Sequence, residues 1–172
     1  MLWEVVWIQL EPKLKIFLED CQKLVILAIG NELRADDGLG PLFANKFSKI
    51  TKNASKVIVI DGGIVPENFT GTIRKENPSH VILIDAVEMN AAPGDMKFIA
   101  KEKISQYNVS THSMPISFLI KYLETTSSFK IILLGIQPQN MELGEKITEN
   151  VQISVNKLVD VFKNILNDLN LI

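Results

Sequence analysis

The sequence predicts a three-layer α/β domain built on a largely parallel sheet, and three features predict it. Four short runs are apolar at every position: Leu24–Ile29, Val57–Ile60, Val81–Ile84 and Ile131–Leu134. Continuous runs mark strands buried on both faces, the usual state of a parallel sheet covered by helices above and below. Each run closes in glycine or aspartate, at Gly30, Asp61, Asp85 and Gly135. Helical patterns lie between the runs, and strand–helix alternation with short connections is the mark of this architecture.

Taken in order, residues 1–22 come first. Their longest uncharged apolar stretch is Val5 to Leu10, with Gln9 inside it, and Glu4, Glu11, Glu19 and Asp20 interrupt the rest. A signal peptide needs a basic start and a continuous apolar centre, and a membrane span needs about 20 apolar residues. The segment is expected instead to be an extension that packs on the domain or on a partner. Residues 23–172 are read as one domain, beginning with the strand at Leu24. Pro41 suits the first turn of a helix whose Leu42, Phe43, Phe47 and Ile50 share a face. After the strands at Val57 and Val81, Pro93-Gly94 turns the chain into a weaker strand, Asp95 to Ala100, read as an antiparallel edge. Pro115 opens a helix carrying Ile116, Leu119, Ile120 and Leu123. The strand at Ile131 and a long last helix complete the domain. In that helix Ile147, Val151, Val155, Leu158, Val159, Phe162, Ile165, Leu166 and Leu169 form a stripe facing the sheet.

Composition narrows the function. The chain has 172 residues, 47% of them hydrophobic, and a net charge of −2. Without a basic field, nucleic acid and anionic lipid are poor partners. One cysteine, Cys21, excludes an intramolecular disulfide framework and favours a cytoplasmic setting. The only histidines are His80 and His112. No G-x-S-x-G elbow, H-E-x-x-H pair or Walker loop occurs.

In open α/β sheets ligands bind beyond the carboxyl ends of the parallel strands. The polar residues expected there are Asn31, Asp36 and Asp37 after the first strand, Asp61 after the second, Asp85 and Glu88 after the third, and His112 before the helix at Pro115. Two carboxylates and one imidazole make a mixed oxygen and nitrogen set suited to a divalent ion such as nickel or zinc, with positions left open for water or substrate. Asp37, just ahead of a helix N-terminus, is favoured in its ionised form. Each residue also has a structural reading. Asp36 or Asp37 is expected to cap the helix near Gly40, and Asp61, before Gly-Gly, suits a turn. Asp85 could serve a structural hydrogen bond and His112 could be a satisfied loop residue. His80, on the opposite rim, is expected at the surface.

With these residues assembled, the chain resembles the nickel-iron hydrogenase maturation endopeptidases. Six segments run in that family's order: Gly30-Asn31-x-Leu33-x-x-Asp36-Asp37-Gly38-x-Gly40-Pro41, Asp61-Gly62-Gly63-x-x-Pro66-Glu67-Asn68, Asp85-Ala86, Pro93-Gly94, Thr111-His112-x-Met114-Pro115 and Leu134-Gly135-Ile136-Gln137-Pro138. The likeness is greatest to the branch that serves formate-hydrogenlyase-type, energy-converting hydrogenases. It implies a five-stranded mixed sheet in a phosphorylase/hydrolase-like fold. It also implies an aspartic-type, nickel-dependent protease whose metal-contacting and catalytic residues carry over as Asp37, Asp85 and His112. The implied partner is a large-subunit precursor that brings its own nickel, so no resident cofactor is expected. A monomer is the expectation, with the role of residues 1–22 in docking left open. Two alternatives remain: a non-catalytic, nickel-sensing assembly chaperone of the same fold, and a receiver-type signalling domain. The second fits poorly, because the acidic pair lies several residues beyond Ile29 and no lysine follows Gly135.

Overall fold

The computed structural model describes residues 2–109, 114–125 and 127–172, and within them side chains from residue 9 onward apart from those of 108 and 109. The sheet contains β1 (Leu24–Ile29), β2 (Val57–Gly63), β3 (His80–Glu88), β4 (Met96–Ala100) and β6 (Lys130–Ile136) in the order β2-β1-β3-β6-β4. β1, β2, β3 and β6 run parallel, with Leu24 level with Val57 and His80, and Ile84 level with Leu134. β4 lies antiparallel to β6 at the edge, as the Pro93-Gly94 turn predicts. A two-residue strand, β5 (Asn108–Val109), pairs antiparallel with Val87 and Glu88. The four apolar runs are thus the parallel strands.

Alternate residues of each strand supply two cores. On one face Leu24, Ile26, Ile82 and Ile84 meet α2 (Leu39–Ile50), through Phe43 and Phe47, and α5 (Glu149–Asp168), through Val155, Leu158 and Phe162. On the other face Val25, Leu27, Val81 and Leu83 meet Ile73 of α3 (Thr70–Glu76) and Ile116, Leu119, Ile120 and Leu123 of α4 (Ile116–Glu124). Burial of each such side chain stabilises by about 1.5–3 kcal/mol. The α3 helix has no counterpart in the sequence reading. It is seven residues long with one buried residue, Ile73, too little for a periodic signal.

Residues 2–18 form a helix, α1 (Leu2–Leu18), which lies along β4. Its Leu10, Leu14 and Leu18, spaced by four, are buried in the same core as α2 and α5. This helix overturns the expectation for His80. The residue stands on the rim opposite the strand ends as expected, but it is 1% exposed. Phe17, at the end of α1, packs its ring at 86° to the imidazole with centroids 5.0 Å apart. Ser79 Oγ lies 2.9 Å from Nδ1 and Asp20 Oδ1 lies 3.3 Å from Nε2.

Burial holds the His80 imidazole below its ordinary pKa; Asp20 opposes that shift and Lys130 reinforces it. The unfolded chain takes up a proton near pH 6.5, whereas the folded protein resists it. Stability should therefore be full above about pH 6.5 and fall as the pH drops through the folded value. Urea denaturation at pH 5.5 and 7.5 should show that fall in the wild type and a smaller one in His80→Gln. Equal falls in both would contradict the assignment.

Candidate active site

The site begins with a chain reversal after β1. Gly30 has φ +148°, and a Cβ there would stand 1.8 Å from the Asp37 carbonyl oxygen. A Cβ on Gly40 would stand 2.1 Å from the carbonyl oxygen of Ile29. Residues 31–39 therefore leave the strand and return so closely that only glycine fits at either contact. The Asn31 N–H donates to the Asp37 carbonyl (3.1 Å), and the Asp37 N–H donates to the Arg34 carbonyl (2.9 Å). The 3-10 turn Ala35–Gly38 that results packs against β3. Asp37, 6% exposed, is held at the carboxyl end of the central strands.

Its neighbour has a different task. Asp36 is fully buried, and its carboxylate accepts hydrogen bonds from the N–H groups of Gln139 (2.8 Å), Asn140 (2.9 Å) and Thr148 (2.7 Å) and from the Thr148 hydroxyl (3.0 Å). Thr148 is the N-cap residue of α5, where the helix dipole favours a negative charge. The Asp36 N–H completes the junction by donating to the Asn140 carbonyl at 3.0 Å. The expectation that one of the acidic pair caps α2 is corrected: its N-cap is Gly38, and no side chain bonds there. Asp36 instead joins the loop after β1 to residues 139–148. Sequence reasoning missed this because the partners lie more than 100 positions away; only Thr148, a good N-cap residue ahead of an apolar stripe, gave any local signal.

Asp85 sits near the end of β3, level with Gly135 of β6, and is 0% exposed. One of its oxygens accepts the Ala86 N–H at 2.8 Å. β1 and β3 are neighbours, so Asp85 lies one step beyond the Ala28–Ile84 pair, next to the strand end on which Asp37 rests. Asp61, expected in a turn, lies instead in β2 opposite Ala28, just before the register shift at Ile29; it is exposed and accepts the Gly63 N–H at 3.1 Å, the bond an aspartate makes to the backbone two residues on. Gln137, 4% exposed, was visible only as part of a motif. Its amide oxygen accepts from Met89 (2.7 Å) and Ala91 (3.3 Å), and its amide nitrogen donates to Glu88 (3.0 Å), fixing the loop beyond β3. His112 lies outside the described residues, while Pro115, three positions on, is the N-cap of α4. Among the described residues no three His, Cys, Asp or Glu side chains gather to hold a metal ion.

A buried carboxylate is costly unless it is hydrogen-bonded, paired with a cation or bound to a metal. Two of them, one near the end of β3 and one on the turn packed against that strand, suit a site for a cation or a polarised substrate. Comparison with known proteins gives that chemistry a context. Residues 41–165 match the hydrogenase maturation protease model HycI. The chain belongs to the hydrogenase maturation protease family. A provisionally named hydrogenase maturation protease of Methanocaldococcus jannaschii is 36% identical over 160 residues, covering 90% of this chain and 94% of that protein. The hydrogenase 3 maturation protease of Escherichia coli is 35% identical over 132 residues, 76% of this chain and 83% of its own. The crystal structure of HycI from Thermococcus kodakarensis superposes with a TM-score of 0.83 at 26% identity, over 90% of this chain and 99% of that one. Membership in a family of peptidases replaces the receiver-domain alternative. Among the described residues no helix is long and apolar enough to cross a membrane.

Asp36→Asn turns one acceptor oxygen into a donor that faces N–H donors. Loss of charge-assisted bonds there should cost about 2–4 kcal/mol, lowering the melting temperature by roughly 5–15 °C. Asp61→Asn, at an exposed position near the end of β2, should melt within a few degrees of the wild type. Thermal unfolding followed by circular dichroism checks both.

Proposed function

We propose that this protein is an endopeptidase that removes a C-terminal peptide from the precursor of a nickel-iron hydrogenase large subunit. On this reading it recognises nickel already installed in the precursor, through Asp37, Asp85 and His112. The observation that carries the reading is the pair of buried carboxylates, Asp37 on the turn that packs against β3 and Asp85 near the end of β3, in a chain from this family. Two carboxylate oxygens and an imidazole nitrogen suit a borderline divalent ion. A set of three leaves coordination positions for groups of the substrate.

In this mechanism the metal is part of the substrate. The three side chains grip the nickel and so hold the scissile peptide beside it, which removes most of the orientational freedom that opposes reaction. The substrate's nickel would polarise the scissile carbonyl, or the nickel or a carboxylate would activate the attacking water. The carboxylates balance the charge of the ion and lie within the protein, shielded from bulk water that would weaken their hold. Asp36 takes no part in the chemistry; it fixes the turn that carries Asp37. The reading places the protein in the cytoplasm, where precursor and nickel meet before assembly, and it requires no resident cofactor.

Asp37→Ala, Asp85→Ala and His112→Ala should each reduce trimming of nickel-loaded precursor at least about 100-fold, read as loss of the mobility shift on a denaturing gel. Circular dichroism should stay that of a folded protein. Normal trimming by all three would refute the assignment, and binding without trimming by the wild type would identify an assembly chaperone instead.

A further inference from the structure

The two edges of the sheet differ. α1 lies along β4, whereas among the described residues no strand stands beyond β2. The Leu24 N–H donates to the Lys56 carbonyl at 2.8 Å, which fixes the phase of the parallel ladder. The main-chain groups of Ile58 and Ile60 therefore turn toward β1, and those of Val57, Val59 and Asp61 turn away from it. Among the described residues no loop or turn backbone bonds to these outward groups. Burial divides the edge in two. Val57 is 2% exposed, so the lower half is closed, while Val59 is half-buried and Asp61 exposed. The open half leads to the acidic rim. The Gly63 carbonyl accepts the Gly30 N–H at 3.0 Å, and a Cβ on Gly30 would meet the Asp37 carbonyl oxygen. Gly63 itself has open space where a side chain would stand.

We infer that the outward main-chain groups of Val59 and Asp61 bind the substrate as an added strand, holding the extended segment that flanks the scissile bond. This docking mode rests on the function proposed above and adds how the cut segment is held. Outward N–H and C=O groups on every second residue are matched by another extended main chain. A second copy of this chain would need an open edge of about five or six residues, the usual strand length, and Val57 closes that length. A short peptide arriving from the rim needs only the half that is open, and an extended peptide is what a peptidase cuts. The added strand would stand three strand spacings, about 14 Å, from β3. Four or five residues of extended chain then reach from it across the rim to Asp85. Gripping nickel alone leaves the precursor free to rotate about the metal, and a second hold beside the site removes that freedom.

Two measurements test this. Amide hydrogen exchange is followed by NMR in the wild type, with and without a large excess of a nickel-free synthetic peptide spanning the precursor's cut site. The N–H groups of Val59 and Asp61 should exchange at least about tenfold more slowly with the peptide. Those of Ile58 and Ile60, already bonded to β1, should not change. Val59→Pro then removes one outward N–H at an edge position, where a strand tolerates proline. KM for trimming nickel-loaded precursor should rise at least about fivefold, with kcat near that of the wild type. Val59→Thr, which keeps the N–H, should match the wild-type KM. Unprotected Val59 and Asp61 would overturn the added strand, and so would an unchanged KM in a folded Val59→Pro. A wild-type dimer, seen by sedimentation, that Val59→Pro dissolves with KM unchanged would overturn it in favour of a second copy. If Val59→Pro does not fold, the exchange comparison decides. If the wild type trims no precursor, the functional reading falls and the exchange comparison alone decides docking.

Discussion

The close return of residues 31–40 onto the end of β1 is the constraint on which the site depends. Backbone meets backbone twice, at Gly30 against Asp37 and at Gly40 against Ile29. These contacts put a helix start and an acidic turn directly over the carboxyl ends of the central strands, where the rim of a parallel sheet collects ligands. A methyl group at either glycine would push the turn away from the sheet, and Asp37 would lose its place beside β3. The apolar strands beneath make this possible, because their burial on both faces fixes the rim to which the loop returns.

Position decides what each acidic residue does. Asp36 and Asp37 are adjacent, of one chemistry and both buried, yet Asp36 is surrounded by backbone N–H donors from residues 139–148. Those donors satisfy its charge and make it a structural tie. Asp61, exposed near the end of β2, spends one oxygen on the Gly63 N–H and stays in contact with water. Asp37 and Asp85 are buried at the rim, where one Asp85 oxygen accepts the Ala86 N–H. On the function proposed here, nickel brought by the substrate would place a further positive charge beside them.

Much of this was legible in the sequence. The uninterrupted apolar runs identify the strands and their parallel packing, and Pro93-Gly94 marks the antiparallel edge. Asp37 and Asp85 were identifiable as rim residues because each follows or ends a buried strand. What could not be read was long-range pairing. The bonds from Asp36 to Thr148 span 112 positions and leave no local pattern. The burial of His80 depends on Phe17 and Asp20, which reach it only because α1 folds back along β4. The amphipathic spacing of Leu10, Leu14 and Leu18 was present in the sequence, but the face of the domain it would cover was not.

The most direct test uses the wild-type protein and two forms of one precursor, identical except that one carries nickel and the other does not. The masses of the products after incubation decide the question. Loss of a C-terminal peptide from the nickel-loaded form, with the nickel-free form intact, is the expected result. Equal cleavage of both forms would show that Asp37, Asp85 and His112 do not read nickel, and would contradict the central claim.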